Sequence, residues 1–161
     1  MRHILSVLVD NKPGVMTRVA AMFSRRGFNI DSIAVGAEND PSVSRMTIVV
    51  HGDDTVVEQI EKQLNKLIDV IKLTDLTITN HVEREMVLVR IKATATTRSE
   101  VMQVCDIFRA RIIDVAADSL MVEITGTEEK IEAMLNLLTK FGIQEMARTG
   151  KIALSRGSTL K

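Results

Sequence analysis

Asp10-Asn11-Lys12-Pro13-Gly14-Val15-Met16-Thr17-Arg18-Val19, running on to Gly27-Phe28-Asn29-Ile30, packs a strand end, a tight turn, a helix and a second strand start into about twenty residues. Before it, Ile4 to Val9 is a run of mostly branched apolar residues and reads as a buried strand. Asp10-Asn11 stops that strand, because both side chains bond their own backbone and favour turns. Pro13 lacks an N–H and suits the first turn of a helix, and Gly14 permits an unusual φ or a close backbone approach. Met16, Val19, Ala20 and Phe23 then fall at i, i+3, i+4 and i+7, which predicts one apolar helix face. Gly27 after Arg25-Arg26 reads as the helix stop, with cations at the negative end of the dipole. The free N–H groups at the helix start can receive a carboxylate. Two amides, Asn11 and Asn29, flank the unit, a layout suited to holding a small zwitterion. Each residue also has a plain structural explanation: Asn11 as a helix N-cap, Gly14 as a turn requirement, Asn29 as a bond to a nearby loop.

The rest of the chain extends the pattern. The first half reads β-α-β-β-α-β, with strands near 3–9, 29–36, 43–51 and 70–76 and helices near 14–26 and 54–68. Asp53-Asp54 are favourable charges at the start of the second helix, whose apolar face is Val57, Ile60, Leu64 and Leu67. Asn39-Asp40-Pro41-Ser42 is a turn between strands. The second half repeats the order, with strands near 85–93, 111–116, 119–125 and 143–149 and helices near 97–109 and 127–140. Val101, Val104, Cys105 and Phe108 repeat the first helix stripe at an offset of 85 residues, and Ile131, Met134, Leu135 and Leu138 line the last helix. Two copies at so long a period indicate tandem domains. The expected fold is α+β: two tandem ferredoxin-like domains, each an antiparallel four-stranded sheet with two helices on one face. Their expected limits are 1–77 and 84–161, joined by the polar stretch Thr77–Arg84.

Composition narrows the function. With 21 basic and 21 acidic residues the net charge is zero, which argues against nucleic acid as a bulk electrostatic partner. There is no Trp or Tyr and only four Phe, too few for base-stacking platforms. The one Cys excludes an internal disulfide and a multi-Cys metal site, and Cys105 reads as core packing. His3, His51 and His81 are far apart without ligand spacing and are expected on the solvated surface. No leading apolar segment and no run near 18 apolar residues is present, so the expectation is a soluble, cytoplasmic protein without membrane contact. A hydrolase of this topology needs an anion-cradling loop with Arg, but Arg18 follows the turn and no Gly-rich cradle precedes it. A metal carrier needs Cys-x-x-Cys in the first turn, which Asp10–Gly14 lacks. No catalytic triad, carboxylate pair or phosphate loop emerges.

Open sheet edges must be covered or paired, and pairing with the same edge of a second copy is the symmetric solution. That homodimer places the 10–14 turn of one subunit near strand 29–36 of its mate. Asn11 and Asn29 then approach across the interface, around a gap that fits a small apolar amino acid.

The string from Asn11 through Ile33 resembles the small regulatory subunit of acetohydroxyacid (acetolactate) synthase, and its first domain resembles the ACT amino-acid-sensing module. Ser44-Arg45-Met46-Thr47, Gln59 to Leu64, His81 to Glu85 and Leu154-Ser155-Arg156-Gly157 extend the likeness along the chain, more weakly in the second domain. The resemblance implies a non-catalytic chain in branched-chain amino-acid biosynthesis. It would bind and activate a thiamine-diphosphate-dependent catalytic large subunit and confer feedback inhibition by valine. It implies effector positions Asn11, Gly14, Val15, Met16, Asn29 and Ile30. No cofactor is expected on this chain; thiamine diphosphate, Mg and FAD are expected on the catalytic subunit.

Overall fold

The computed structural model describes residues 1–157. The first sheet contains β1 (Arg2–Asp10), β2 (Ile30–Ala37), β3 (Val43–His51) and β4 (Val70–Asp75), hydrogen-bonded in the order β2-β3-β1-β4. Its helices are α1 (Val15–Arg25) and α2 (Asp54–Asn65). The second sheet contains β5 (His81–Lys92), β6 (Arg111–Val115), β7 (Ser119–Gly126) and β8 (Ile143–Arg148), in the equivalent order β6-β7-β5-β8, with helices α3 (Arg98–Ile107) and α4 (Glu128–Leu138). Both halves are therefore βαββαβ with antiparallel central pairs, the expected fold.

Each half has its own core. Leu5, Val7 and Val9 of β1 alternate inward to meet Val15, Val19, Met22 and Phe23 of α1 and Val57, Ile60 and Leu64 of α2. Asp53 caps α2 by accepting from the Val56 N–H at 2.9 Å. In the second half Val87, Val89 and Ile91 meet Val101, Cys105, Ile131, Met134, Leu135 and Leu138. Burial pushes the Cys105 thiol up to about 11, in keeping with a packing role.

The inward face of α1 differs from the expected stripe. Val15 and Met22 are buried, whereas Met16 is 41% exposed and Ala20 is also exposed. The true repeat offset is correspondingly 82 residues, not 85: Val19, Met22 and Phe23 occupy the places of Val101, Val104 and Cys105. Phe28 N–H bonds to Phe23 O just as Ala110 N–H bonds to Cys105 O. A three-residue slip nearly preserves an i, i+3, i+4 pattern, so periodicity alone admits both alignments.

His3 is also a correction, being 2% exposed rather than solvated. It lies on the inward face of β1 with Nδ1 3.6 Å from Asp75 Oδ2. Burial, then the nearby Asp75 and Glu58 carboxylates, raise Glu61 of α2 above the usual carboxylate value. His51 stays exposed and contacts Asp31, and His81 is half-buried with Nδ1 near Thr79 O.

Two compact units emerge: Met1–Val82 with the chain from Lys151 onward, and Glu83–Gly150. The expected limits of 1–77 and 84–161 therefore place the chain after Gly150 in the other half. A short strand that sequence reasoning missed, β9 (Ile152–Ser155), pairs with β5, whose first residues His81 and Val82 belong to the first unit. Ala153 closes a cluster with Ile4, Val49 and Leu76 on the sheet face away from the helices. The expected end at 161 lies outside the described residues. The connection before β5 is an ordered turn: the Thr77 hydroxyl accepts from Ile4 N–H at 2.8 Å and Thr77 N–H donates to Asp75. Among the described residues, no helix is long and apolar enough to cross a membrane.

The two helix exits use the same left-handed step, at Gly27 (φ 69) and at Arg109 (φ 56). Glycine takes this conformation without a Cβ penalty, and arginine does not. Arg109→Gly is expected to stabilise the chain by about 0.5–1 kcal/mol, read as a higher urea midpoint; an unchanged or lower midpoint would show that Arg109 carries no such strain.

Candidate functional site

Three strands' ends meet around the turn that follows β1. Asp10 N–H donates to Asp69 O at 2.9 Å, fastening the turn to the loop before β4. Asn11 N–H donates to Ser42 O and its Nδ2 to Pro41 O, both at 2.8 Å, fastening it to the β2–β3 loop. Asn11 is therefore a clasp between loops and not the helix N-cap. That loop is itself braced by Asp40, whose carboxylate accepts from the Ser42 hydroxyl and N–H; these bonds hold it below the usual carboxylate value.

The cap position of α1 is Gly14, at φ 86 and ψ −11, with no side-chain cap. The first ladder bond runs from Arg18 N–H to Gly14 O. Val15 N–H makes only a 3.4 Å bond to Lys12 O, and Met16 and Thr17 N–H have no acceptor among the described residues. The helix start thus presents open N–H groups and the positive dipole end. Arg18, set aside on sequence grounds, belongs here. Its Nε donates to Asp69 Oδ2 at 2.6 Å, and a Cβ on Gly14 would lie 2.8 Å from Arg18 Nη1. The i+4 spacing from Gly14 was the available signal; the Asp69 partner, 51 residues away, left none.

The other expected residues are distributed differently. Val15 is 3% exposed and turns its side chain into the core, leaving its backbone to face the turn, whereas Met16 is open. Ile30 is half-buried on the core and pairs with Val50. Asn29 is exposed, with Nδ2 donating to Asp31 at 3.0 Å. Asn11 and Asn29 do not meet within one chain. Ile30 lies opposite Val50, while Ala37 lies opposite Ser44, which neighbours Val9 just before the turn. Six residues of β3 separate those ends, about 20 Å. Since β2 is an edge strand, a two-fold antiparallel pairing of β2 with β2 brings one chain's Ile30 end beside the other's Ala37 end.

The second half lacks the Asn-Lys-Pro-Gly turn, although the start of α3 likewise has no side-chain cap. Before α3 the Thr94 N–H donates to the Thr97 hydroxyl at 2.9 Å, and Thr97 N–H to Thr94 O. Hydroxyls close that turn on itself, without Asn or Gly. Among the described residues no group of three or more His, Cys, Asp or Glu side chains forms a metal site.

Residues 5–72 match the acetohydroxyacid synthase small-subunit-like ACT domain, and residues 84–157 match the family of the small subunit of acetolactate synthase. A probable acetolactate synthase small subunit of Archaeoglobus fulgidus is 53% identical over 158 residues, covering 98% of this chain and 99% of that protein. The acetolactate synthase small subunit of Mycolicibacterium smegmatis is 52% identical over 155 residues, covering 96% and 91%. The crystal structure of the acetolactate synthase small subunit from Thermotoga maritima superposes with a TM-score of 0.89 at 47% identity, covering 97% of this chain and 98% of that one. With both halves matched in order along nearly the whole length, the chain belongs to the acetolactate synthase small-subunit family.

Proposed function

We propose that the chain is a non-catalytic regulatory subunit that activates a thiamine-diphosphate-dependent acetolactate synthase large subunit and makes it sensitive to valine. The observation that carries the valine reading is the uncapped mouth of α1, open beside the Arg18 guanidinium and fastened to two loops by Asp10 and Asn11. A valine carboxylate is received by the Met16 and Thr17 N–H groups, and Gly14 lets it approach the backbone. Asn29 and Ile30 of a second copy supply an amide oxygen for the ammonium and a methyl wall for the side chain. Thiamine diphosphate, Mg and FAD belong to the large subunit in this reading.

Because the site is completed by a second chain, valine binding and dimerisation are thermodynamically linked. A ligand of so few atoms gains about −4 to −7 kcal/mol, a Kd of roughly 0.01–1 mM. The Asn-Lys-Pro-Gly turn has no counterpart in the second half, which supports sensing in the first and leaves the second for oligomerisation and large-subunit contact.

Acetolactate formation by the large subunit is measured with and without this chain across a valine titration. The chain alone is expected to turn nothing over, to raise the large subunit's rate, and to make that rate fall with valine. Valine-insensitive activation would remove the sensing role, and no activation would remove the regulatory one.

Gly14→Asp sets a carboxylate where the ligand's belongs and forces a side chain into a positive-φ position. Asn29→His removes an amide and adds bulk at the strand start. Losing one polar contact to a charged group costs about 1.5–3 kcal/mol, so each variant should need roughly ten- to a hundredfold more valine while still activating. Inhibition at unchanged valine concentrations would show the site to be elsewhere.

Sedimentation of the full chain at micromolar concentration should give a dimer, tightened by valine. A monomer with and without valine would contradict the shared site.

A further inference from the structure

The sheet face of the first unit that carries no helix holds a second feature, independent of the α1 mouth. Arg45, Leu8 and Lys72 stand in one cross-strand row, since Leu8 lies opposite both Arg45 of β3 and Lys72 of β4. The next row is Thr47, Ser6 and Thr74. Strand spacing sets the Arg45 and Lys72 Cα atoms about 10 Å apart, close enough for two long cations to reach one ligand. β9 supplies the remaining wall through Leu154 and Ser155, which with Leu76 and these residues other than Thr47 enclose a cleft of about 130 Å³. That is below the roughly 300 Å³ at which pockets begin to take drug-sized ligands.

The chemistry of the lining is specific. Arg45 Nη1 donates to Ser6 Oγ at 2.6 Å, so that hydroxyl, 4% exposed, keeps its own proton to donate. The other side of the guanidinium holds Glu38 at 2.7 Å, which fixes its orientation and lowers the Glu38 carboxyl below its usual range. Lys72 has no carboxylate partner among the described residues, so its charge is uncompensated. Thr74 and Ser155 add hydroxyl donors at the rim. An oriented guanidinium, its charge balanced by Glu38, together with a free ammonium and several hydroxyls around a small cleft, supplies donors for a tetrahedral oxyanion.

We propose that this cleft binds a phosphate dianion, either inorganic phosphate or the phosphoryl end of a small phosphomonoester. Because Leu154 and Ser155 form part of its wall, occupancy holds β9 against the first sheet. The site requires neither valine nor a second chain.

The test is amide-resolved NMR of the full chain, titrated with inorganic phosphate or with glycerol phosphate, each balanced by chloride at constant ionic strength. The expected result is saturable shifts clustered at Ser6, Lys72, Thr74, Leu154 and Ser155. The tighter of the two probes identifies the source. Lys72→Gln, a change at an exposed side chain, should weaken binding about tenfold, and Lys72→Arg should restore it to within a few-fold. Non-saturable shifts, shifts confined to Gly14–Arg18, or equal affinity in Lys72→Gln would each overturn the proposal. Loss of valine sensitivity in Gly14→Asp with phosphate binding intact is expected, since the two sites share no residue.

Discussion

At Gly14 the backbone takes φ 86, and the character of the first unit's site follows from that torsion. The positive φ lets the chain leave β1 and enter α1 within four residues, with no side-chain cap on the helix start. An ordinary N-cap would have satisfied the first N–H groups. Here they remain open, the dipole end is unscreened, and Arg18 one turn later lies over the space that a Cβ would fill. The cost of leaving them open is borne by neighbours: the two Asn11 bonds, the Asp10–Asp69 bond and the Asp40–Ser42 brace hold the turn where solvent or a ligand must complete it.

The two halves show how one topology is tuned for different ends. Their first strands, first helices and helix-exit bonds correspond at an offset of 82 residues, and their third strands and second helices at 74, because the second half has a shorter hairpin. What differs is the turn between first strand and first helix. Asn, Pro and Gly build it in one, with Asn11 tied to the β2–β3 loop, while Thr94 and Thr97 bond to each other in the other; neither helix start has a side-chain cap. The cores are alike in kind, and the proposed sensing role rests on a four-residue difference in a connection.

The return of β9 to the first unit shows how that unit solves its packing problem. A four-stranded sheet with helices on one face leaves the other face wet. Ile4, Val49 and Leu76 sit there at 2–4% exposure because Ala153 covers them. Burying three large aliphatic side chains contributes on the order of several kcal/mol, substantial for a domain of this size. The chain crosses between units twice as a result, near the start of β5 and after β8.

Most of the secondary structure was legible in the sequence because it rests on local rules: the apolar run from Ile4 to Val9, the aspartates at the start of the second helix, glycine after Arg25-Arg26. The fold followed from the order of those elements and its repetition. Sequence also located the Asn11–Gly14 turn, since Pro and Gly restrict the backbone whatever surrounds them. The inward face of α1 required three dimensions, because helical periodicity tolerates a three-residue slip and only contact with β1 chooses Val15 over Met16. The burial of His3, the Arg18–Asp69 pair and the seat of Ala153 were likewise decided by tertiary structure. Each joins residues about 50 to 150 positions apart, and no local propensity encodes a partner at that distance.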